Sequence, residues 1–396
     1  MEVECGGLSL LAIKCGLLKR WKVKNNHHLG IKDKNMVKYW FLAIVILSSL
    51  NTYSCTVFLL DNDDISILGR NFDAGYGEGL ILVNKRGVSK TAIPILFHAQ
   101  ESFDNPARWT SKYGSVSFTP LGREYPVCGM NEVGLTLVSL ADRSTIYQSI
   151  DERPEIDFQE WIQYQLDVAA TVDEVINSDL ILRIVQPDIN FECHYFICDA
   201  KGECAVIDYV DKQMLVYQGE TLPVKALTNS HYSDLLTYKE DEYDPTLEFT
   251  ANSLQRFSLA AQMSATFNPA SNTNPIEYAF TVLDAVKNPR LTQWHIVYDI
   301  KNIQIHFNTP KDEDTRIIDI KAFDYSCNTP MKMLDVNSNI AGNITELFID
   351  YDKELHREFF KKAAKNYTNI FVDAPIERVD NIANINDSFL CNQASR

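Results

Sequence analysis

The sequence predicts an α+β fold. Two observations lead to it: short β-rich runs joined by turn-forming residues recur along the chain, and a few apolar-periodic runs with helix-start signals fall between them. The first hairpin spans Cys55–Leu60 and Ile65–Gly69 across Asp61-Asn62-Asp63-Asp64, a stretch whose side chains favour a turn. Strand-like runs follow at Leu80–Val83, Leu135–Leu140 and Tyr195–Cys198. Cys204–Tyr209 returns across Asp199-Ala200-Lys201-Gly202 as a second hairpin, and Val224–Thr228, Ile296–Tyr298 and Ile303–Phe307 complete the strands. Helices are expected at Phe158–Leu166, Val172–Ile176, Ser253–Met263 and Ile276–Ala285. Thr171 before Asp-Glu, and Ser253 before its apolar run, supply N-terminal signals. Beyond Ser338 the character shifts. A charged helix candidate, Ile344–Lys365, leads into an Asn/Asp-rich tail, so 338–396 reads as a helical extension, partly ordered at its end, and not as a second catalytic domain.

The 396 residues are enough for a substantial core, and 45% hydrophobic with 23% charged residues is ordinary for a globular chain. A net charge of −16 argues against nucleic acid as a partner, because little here would neutralise phosphates. The charge is uneven: residues 1–54 carry a net +5, which leaves about −21 for the rest. Within that basic segment, Lys38 precedes an apolar stretch from Tyr39 to Leu47, and Thr52 and Ser54 stand at −3 and −1 before Cys55. That is the layout of a secretory signal peptide over 36–54. The apolar stretch is shorter than the ~20 residues of a comfortable membrane span. Residues 1–35 fit no part of a signal and read as an extension before a natural start at Met36. An uncleaved anchor and a lipoprotein signal are the competing readings.

Nine cysteines are scattered, with no CxxC pair, so neither a zinc site nor another metal is expected. Their odd number does not suggest a disulfide framework, and the seven from Cys55 onward leave at least one thiol free. Cys55 holds a special position. A cysteine freed at a cleavage point carries an α-amine with a pKa near ~8, which can act as general base for its own thiol. On the return strand of the first hairpin come Arg70 and Asp73. A guanidinium there favours the thiolate, and a carboxylate can orient an ammonium.

The resemblance is carried by ordered motifs. Cys55-Thr56 followed by Gly69-Arg70-Asn71-Phe72-Asp73 is similar to the opening of mature choloylglycine hydrolases and penicillin V acylases. Gly129-Met130-Asn131-Glu132-Val133-Gly134-Leu135, Leu227-Thr228-Asn229-Ser230 and Arg256-Phe257 within 252–260 also resemble motifs of that family, as does the hairpin from Tyr195 to Ile207. The similarity covers Cys55 to about Thr309. It implies a four-layer αββα sandwich of the N-terminal-nucleophile type over 55–337. It implies further that Cys55 is nucleophile and, through its amine, general base, that Arg70 and Asp73 position and tune that terminus, that Asn229 donates to the oxyanion, and that Arg256 supports the network. Bile-salt hydrolases carry a second asparagine where this chain has Ala141. A backbone N–H at Ala141 is the remaining donor, which weakens a bile-salt reading.

The expected reaction is cofactor-free hydrolysis of a small-molecule N-acyl amide by an exported enzyme. Bile salts, penicillin V and N-acyl homoserine lactones are all open as substrates, and a homo-oligomer stays open. Two rival readings remain: an acyltransferase on the same fold, and a lipidated or membrane-anchored binding protein without catalysis. His194, His231 and His295 are the candidates for a Cys–His pair, and each reads better as a hydrogen-bonded structural or pocket residue. Asn131 and Glu132 read as turn residues and stay outside the catalytic set. Asn343, Asn366 and Asn386 begin formal glycosylation sequons.

Overall fold

The computed structural model describes residues 54–62, 64–189, 191–237, 252–268, 274–366 and 376–391. The extension over 1–35 and the leader over 36–54 lie outside these residues apart from Ser54. Residues 52–396 group into one compact unit.

Two large sheets form its middle. The seven-stranded sheet runs Ala226–Leu227, Thr56–Asp61, Ser66–Asp73, Thr292–Asp299, Gln304–Thr309, Asp312–Asp319 and Gly342–Asn343. The nine-stranded sheet runs Gln213–Gln218, Cys204–Val210, Cys193–Cys198, Thr136–Ala141, Cys128–Asn131, Ser115–Thr119, Leu80–Asn84, Lys332–Asp335 and Ile349–Asp350. Alternation along the strands assigns the layers. Val138, Leu140, Phe196 and Val206 join Val57, Leu68 and Ile296 in the core between the sheets. Leu137, Tyr195, Ile197 and Ile207 point the other way, onto Trp161, Ile162 and Leu166 of the helix Glu160–Val168. Helices Ser253–Thr266 and Pro275–Ala285 cover the outer face of the seven-stranded sheet. The order is helix, sheet, sheet, helix: the αββα sandwich. Each Leu or Phe fully buried this way contributes about 1.5–3 kcal/mol.

The first hairpin forms with Thr56 opposite Asn71 and Val57 opposite Arg70. Its Gly69 is a packing requirement, since a Cβ there would lie 2.4 Å from the Phe58 ring across the ladder. The hairpin Cys193–Cys198 with Cys204–Val210 also forms, and the Cys198–Cys204 disulfide closes it. A second disulfide joins Cys327 to Cys391, leaving Cys55, Cys128 and Cys193 free among the described residues. Spacing alone revealed neither pair.

Other differences have local causes. The run Val224–Thr228 pairs only at Ala226–Leu227. Ser115–Thr119 is a fully buried central strand that was not among those expected; Asn84 Nδ2 satisfies Ser115 and Ser117 at 3.2 and 2.9 Å. The C-terminal helix begins at Lys353 rather than Ile344, because Asp352 accepts from the N–H groups of Glu354 and Leu355 and so caps it. Part of the Asn/Asp-rich tail is itself a helix, Ile376–Asp387, whose Val379, Ile382 and Ala383 enter the core at i, i+3, i+4 spacing. Among the described residues no helix is long and apolar enough to cross a membrane.

Candidate active site

The pleat of the first hairpin divides the partners of Cys55. Continuing the register sets Cys55 opposite Phe72 and Ser54 opposite Asp73. Cys55, Arg70 and Phe72 therefore face inward, toward the nine-stranded sheet, while Thr56, Asn71 and Asp73 face the outer helices. Asn71 bears this out: its Nδ2 donates to Leu283 O of the outer helix at 2.8 Å.

On the inner side, the thiol of Cys55 opens on a narrow pocket lined mainly by apolar groups. Phe72, Phe97, Leu121 and Phe191 form its walls, with Cys193 and Gln159 beside them. Phe97 and Phe191 stack with centroids 5.0 Å apart. Arg70 is buried here. Its guanidinium donates to Val127 O at 2.8 Å and Ser139 O at 3.1 Å, strapping the pocket wall while its charge sits by the thiol.

On the outer side, Arg256 from the helix Ser253–Thr266 reaches the chain around Cys55. One terminal nitrogen donates to Ser54 O, to Cys55 O at 2.6 Å and to Thr56 Oγ1 at 2.7 Å. The other donates to Asn229 Oδ1 at 3.0 Å. That bond orients the Asn229 amide, whose Nδ2 donates to Ala141 O at 2.8 Å. Asp73 is fully buried, and its Oδ1 accepts from Thr292 Oγ1 at 2.6 Å. Its Oδ2 has no hydrogen-bond partner among the described residues.

The Ala141 N–H is aimed by strand register. Asp142 N donates to Glu192 O at 2.9 Å on one side, and Ser139 N donates to Val127 O at 3.0 Å on the other. Alternation sends the Ala141 N–H to the same side as Ser139, past the point where the neighbouring strand ends, at the pocket that Ala141 lines. Asn229 is tied to this same strand end by its bond to Ala141 O.

Burial dominates the electrostatics. It pushes the Cys55 thiol up, opposed chiefly by Arg70, with the Asp73 charge adding to the rise and Arg256 opposing it. Burial lifts Asp73 to about 7 against the pull of Arg256, Thr292 and Ser54. Arg256 comes down to about 10 by burial, held up by Asp73 and Cys55.

The structure thus brings Cys55, Arg70, Asp73, Asn229, Arg256 and Ala141 together from five separate segments. Asn131 spans a turn: its Nδ2 donates to Leu166 O and Ala169 O, and its Oδ1 accepts from Leu135 N. The three candidate histidines have their partners elsewhere. His194 bonds Asp208 at 2.8 Å and Thr228 O at 2.6 Å, His231 pairs with Asp142 at 2.9 Å, and His295 bonds Asn71 at 2.7 Å. Thr56 and Phe72 lay within the quoted motifs, yet their roles were missed. Thr292, Phe97, Leu121 and Phe191 arrive from distant segments with no local signal. Among the described residues no group of three or more His, Cys, Asp or Glu is placed to hold a metal ion.

Comparison with known proteins agrees with this geometry. Residues 55–268 match the family described as linear amide C–N hydrolases, choloylglycine hydrolase family. A penicillin V acylase of Pectobacterium atrosepticum is 24% identical, covering 77% of this chain and 90% of the relative. The structure of penicillin V acylase from Agrobacterium tumefaciens superposes with a TM-score of 0.61 at 23% identity, covering 76% of this chain and 98% of that one. A variant of the conjugated bile acid hydrolase from Clostridium perfringens gives 0.56 at 19% identity, covering 72% and 98%. These likenesses show the same fold. The match over more than half of the chain makes it a hydrolase of non-peptide C–N bonds: the chain belongs to the choloylglycine hydrolase family of linear amide C–N hydrolases.

Proposed function

We propose that this chain is an exported amidase, freed of its leader before Cys55, that hydrolyses an N-acyl amide through a thioester on that residue. The observation that carries the reading is the convergence on the Ser54–Cys55 junction. Arg256 grips both carbonyls, and on the outer side Asp73 presents a buried carboxylate oxygen with no hydrogen-bond partner among the described residues. Two disulfides fit an oxidising compartment.

In this mechanism the free Cys55 amine takes the thiol proton, and the thiolate attacks the amide carbon. Asn229 Nδ2 and the Ala141 N–H hold the oxyanion; a comparable donor is worth about 3 kcal/mol in a related hole. The Cys55 ammonium then protonates the leaving amine as the C–N bond breaks. Water gives a proton to the same amine and attacks the thioester. The acid departs, and the proton returns to sulfur. Asp73 holds the ammonium, and Arg70 favours the thiolate. Relatives bear the names penicillin V acylase and conjugated bile acid hydrolase. The stacked phenyl walls and narrow pocket here suit an aromatic or slender alkyl acyl group.

Exported protein examined by intact mass and N-terminal sequencing should begin at Cys55 without acylation, which separates the amidase from a lipidated binder. Cys55→Ala should abolish amine release from a panel of N-acyl amides. Retained release in that variant would end the proposed mechanism.

A further inference from the structure

The pocket walls do not stand alone. Pro120 and Leu121 lie on the turn 119–127, and Phe97 on the segment 93–100. Both segments lean on the C-terminal helices Lys353–Asn366 and Ile376–Asp387. Within the turn, Gly122 and Glu124 adopt positive φ of 111° and 74°, a shape that has to be held by its surroundings. His356 holds it: Nε2 accepts from Arg123 N at 2.9 Å, in space that a Cβ on Gly122 would enter at 2.7 Å.

Because Nε2 accepts, the imidazole proton lies on Nδ1 and is donated to Tyr351 Oη at 2.7 Å. Tyr351 in turn donates to Asp387 Oδ1 at 2.8 Å. Asn386 Nδ2 donates to Arg123 O at 3.1 Å, so both backbone groups of Arg123 are bonded from the C-terminal helices. Asn386 is fully buried in this role, which rules out its sequon as a glycosylation site in the folded chain.

The second wall is held in the same way. Arg378 donates to Ile95 O at 3.3 Å and Gln100 O at 2.8 Å, bracketing Phe97, while Val379, Ile382 and Ala383 pack in the same cluster as Ile95, Leu96 and Phe97. The end of the tail is tied down twice. Leu390–Cys391 pairs with Val88–Thr91, and Cys391 is bonded to Cys327.

We propose that the two C-terminal helices are a buttress for acyl selectivity, with His356, Asn386 and Arg378 acting as positioning residues that set the shape of the Phe97 and Pro120–Leu121 walls. The inference rests on the reading of Cys55 and its pocket as the active site. The geometry separates it from the chemistry, because the turn's far end, Val127, is held by Arg70 on the catalytic side.

The test uses the full processed enzyme and N-acyl amides that differ only in the acyl group. His356→Leu and Arg378→Met should each change the ratio of kcat/KM between a phenyl-bearing acyl group and acetyl by about tenfold, the scale of pocket-wall discrimination. The change should come through KM, with kcat on the acetyl amide kept within about twofold. His356→Gln, which keeps an acceptor near the Nε2 position, should restore the ratio. Where melting temperature shows that either variant does not fold, Tyr351→Phe, which removes only the hydroxyl of the chain to Asp387, reads the same ratio. A ratio within twofold of wild type in the folded variants, or an equal loss of kcat on every amide, overturns the proposal. An active Cys55→Ala protein would instead overturn the site on which it rests.

Discussion

Asn229→Asp is close to isosteric and discriminates sharply. The side chain keeps its shape and gains an ion pair with Arg256, whose nitrogen lies 3.0 Å from Oδ1. It loses both amide hydrogens. A carboxylate oxygen then faces Ala141 O, where Nδ2 now donates at 2.8 Å, and a negative charge sits where the oxyanion forms. Losing one oxyanion donor costs about 2.7–4 kcal/mol, or 10²–10³ in kcat. The added repulsion takes the expected loss beyond about 10³. Stability should change little, because the new ion pair offsets the lost bond to Ala141. The assay is single-turnover amine release on protein shown by mass to begin at Cys55, with thiol labelling of Cys55 as a check that the site is assembled. A processed, labelled variant with kcat within tenfold of wild type would refute the assignment of Asn229 as oxyanion donor.

Two further outcomes concern pH. Asp73, raised by burial from its ordinary 3.8 to about 7 in the uncleaved chain, contributes stability that is present below its ordinary value and lost as pH rises through about 7. The shift corresponds to about 4 kcal/mol, so a cleavage-blocked precursor should lose most of that in urea melts between about pH 4 and 7, and an Asp73→Asn precursor should show no such slope. His231 is raised by its bond to Asp142, with Asp208 and Asp234 adding to the effect against burial. Its contribution is present below the ordinary imidazole value and lost above the raised one, so the melting-temperature deficit of His231→Gln should be larger at acid pH than at pH 9; an equal deficit at both removes the ion pair as its cause.

How much could be read in the sequence depended on distance along the chain. The hairpin carrying Cys55, Arg70 and Asp73 was legible because β-rich runs and turn chemistry are local signals. The helix carrying Arg256 was legible for the same reason. The αββα layering was legible only through resemblance to a family, since periodicity cannot tell which sheet a strand joins. Polar strands were missed where cross-strand partners satisfy the polarity, as at Ser115 and Ser117. The pocket walls were illegible because Phe97, Leu121 and Phe191 meet only after the sheets have formed. The tail helix was hidden by Asn and Asp, whose weak helix preference is overridden by the apolar stripe it buries.

The pleat also bears on how, in the proposed mechanism, one residue could serve as both nucleophile and base. A side chain and the backbone amine of the same residue ordinarily share one environment, so any charge that favours the thiolate also disfavours the ammonium. Here the strand separates them. Arg70 lies with the thiol on the inner face and is the chief influence opposing its burial, while the Asp73 carboxyl lies on the outer face. Asp73 raises the thiol's pKa, but less than Arg70 lowers it. In the uncleaved chain burial lifts that carboxyl to about 7, although Arg256 and, more weakly, Arg70 pull it down. In the proposed mechanism, cleavage would supply an ammonium beside Asp73, which would return the carboxyl to its charged form and hold the amine that must accept the thiol proton. On the proposed mechanism, processing and activation are one electrostatic event, in which the same buried carboxylate that weakens the precursor above acid pH would become the anchor of the mature terminus.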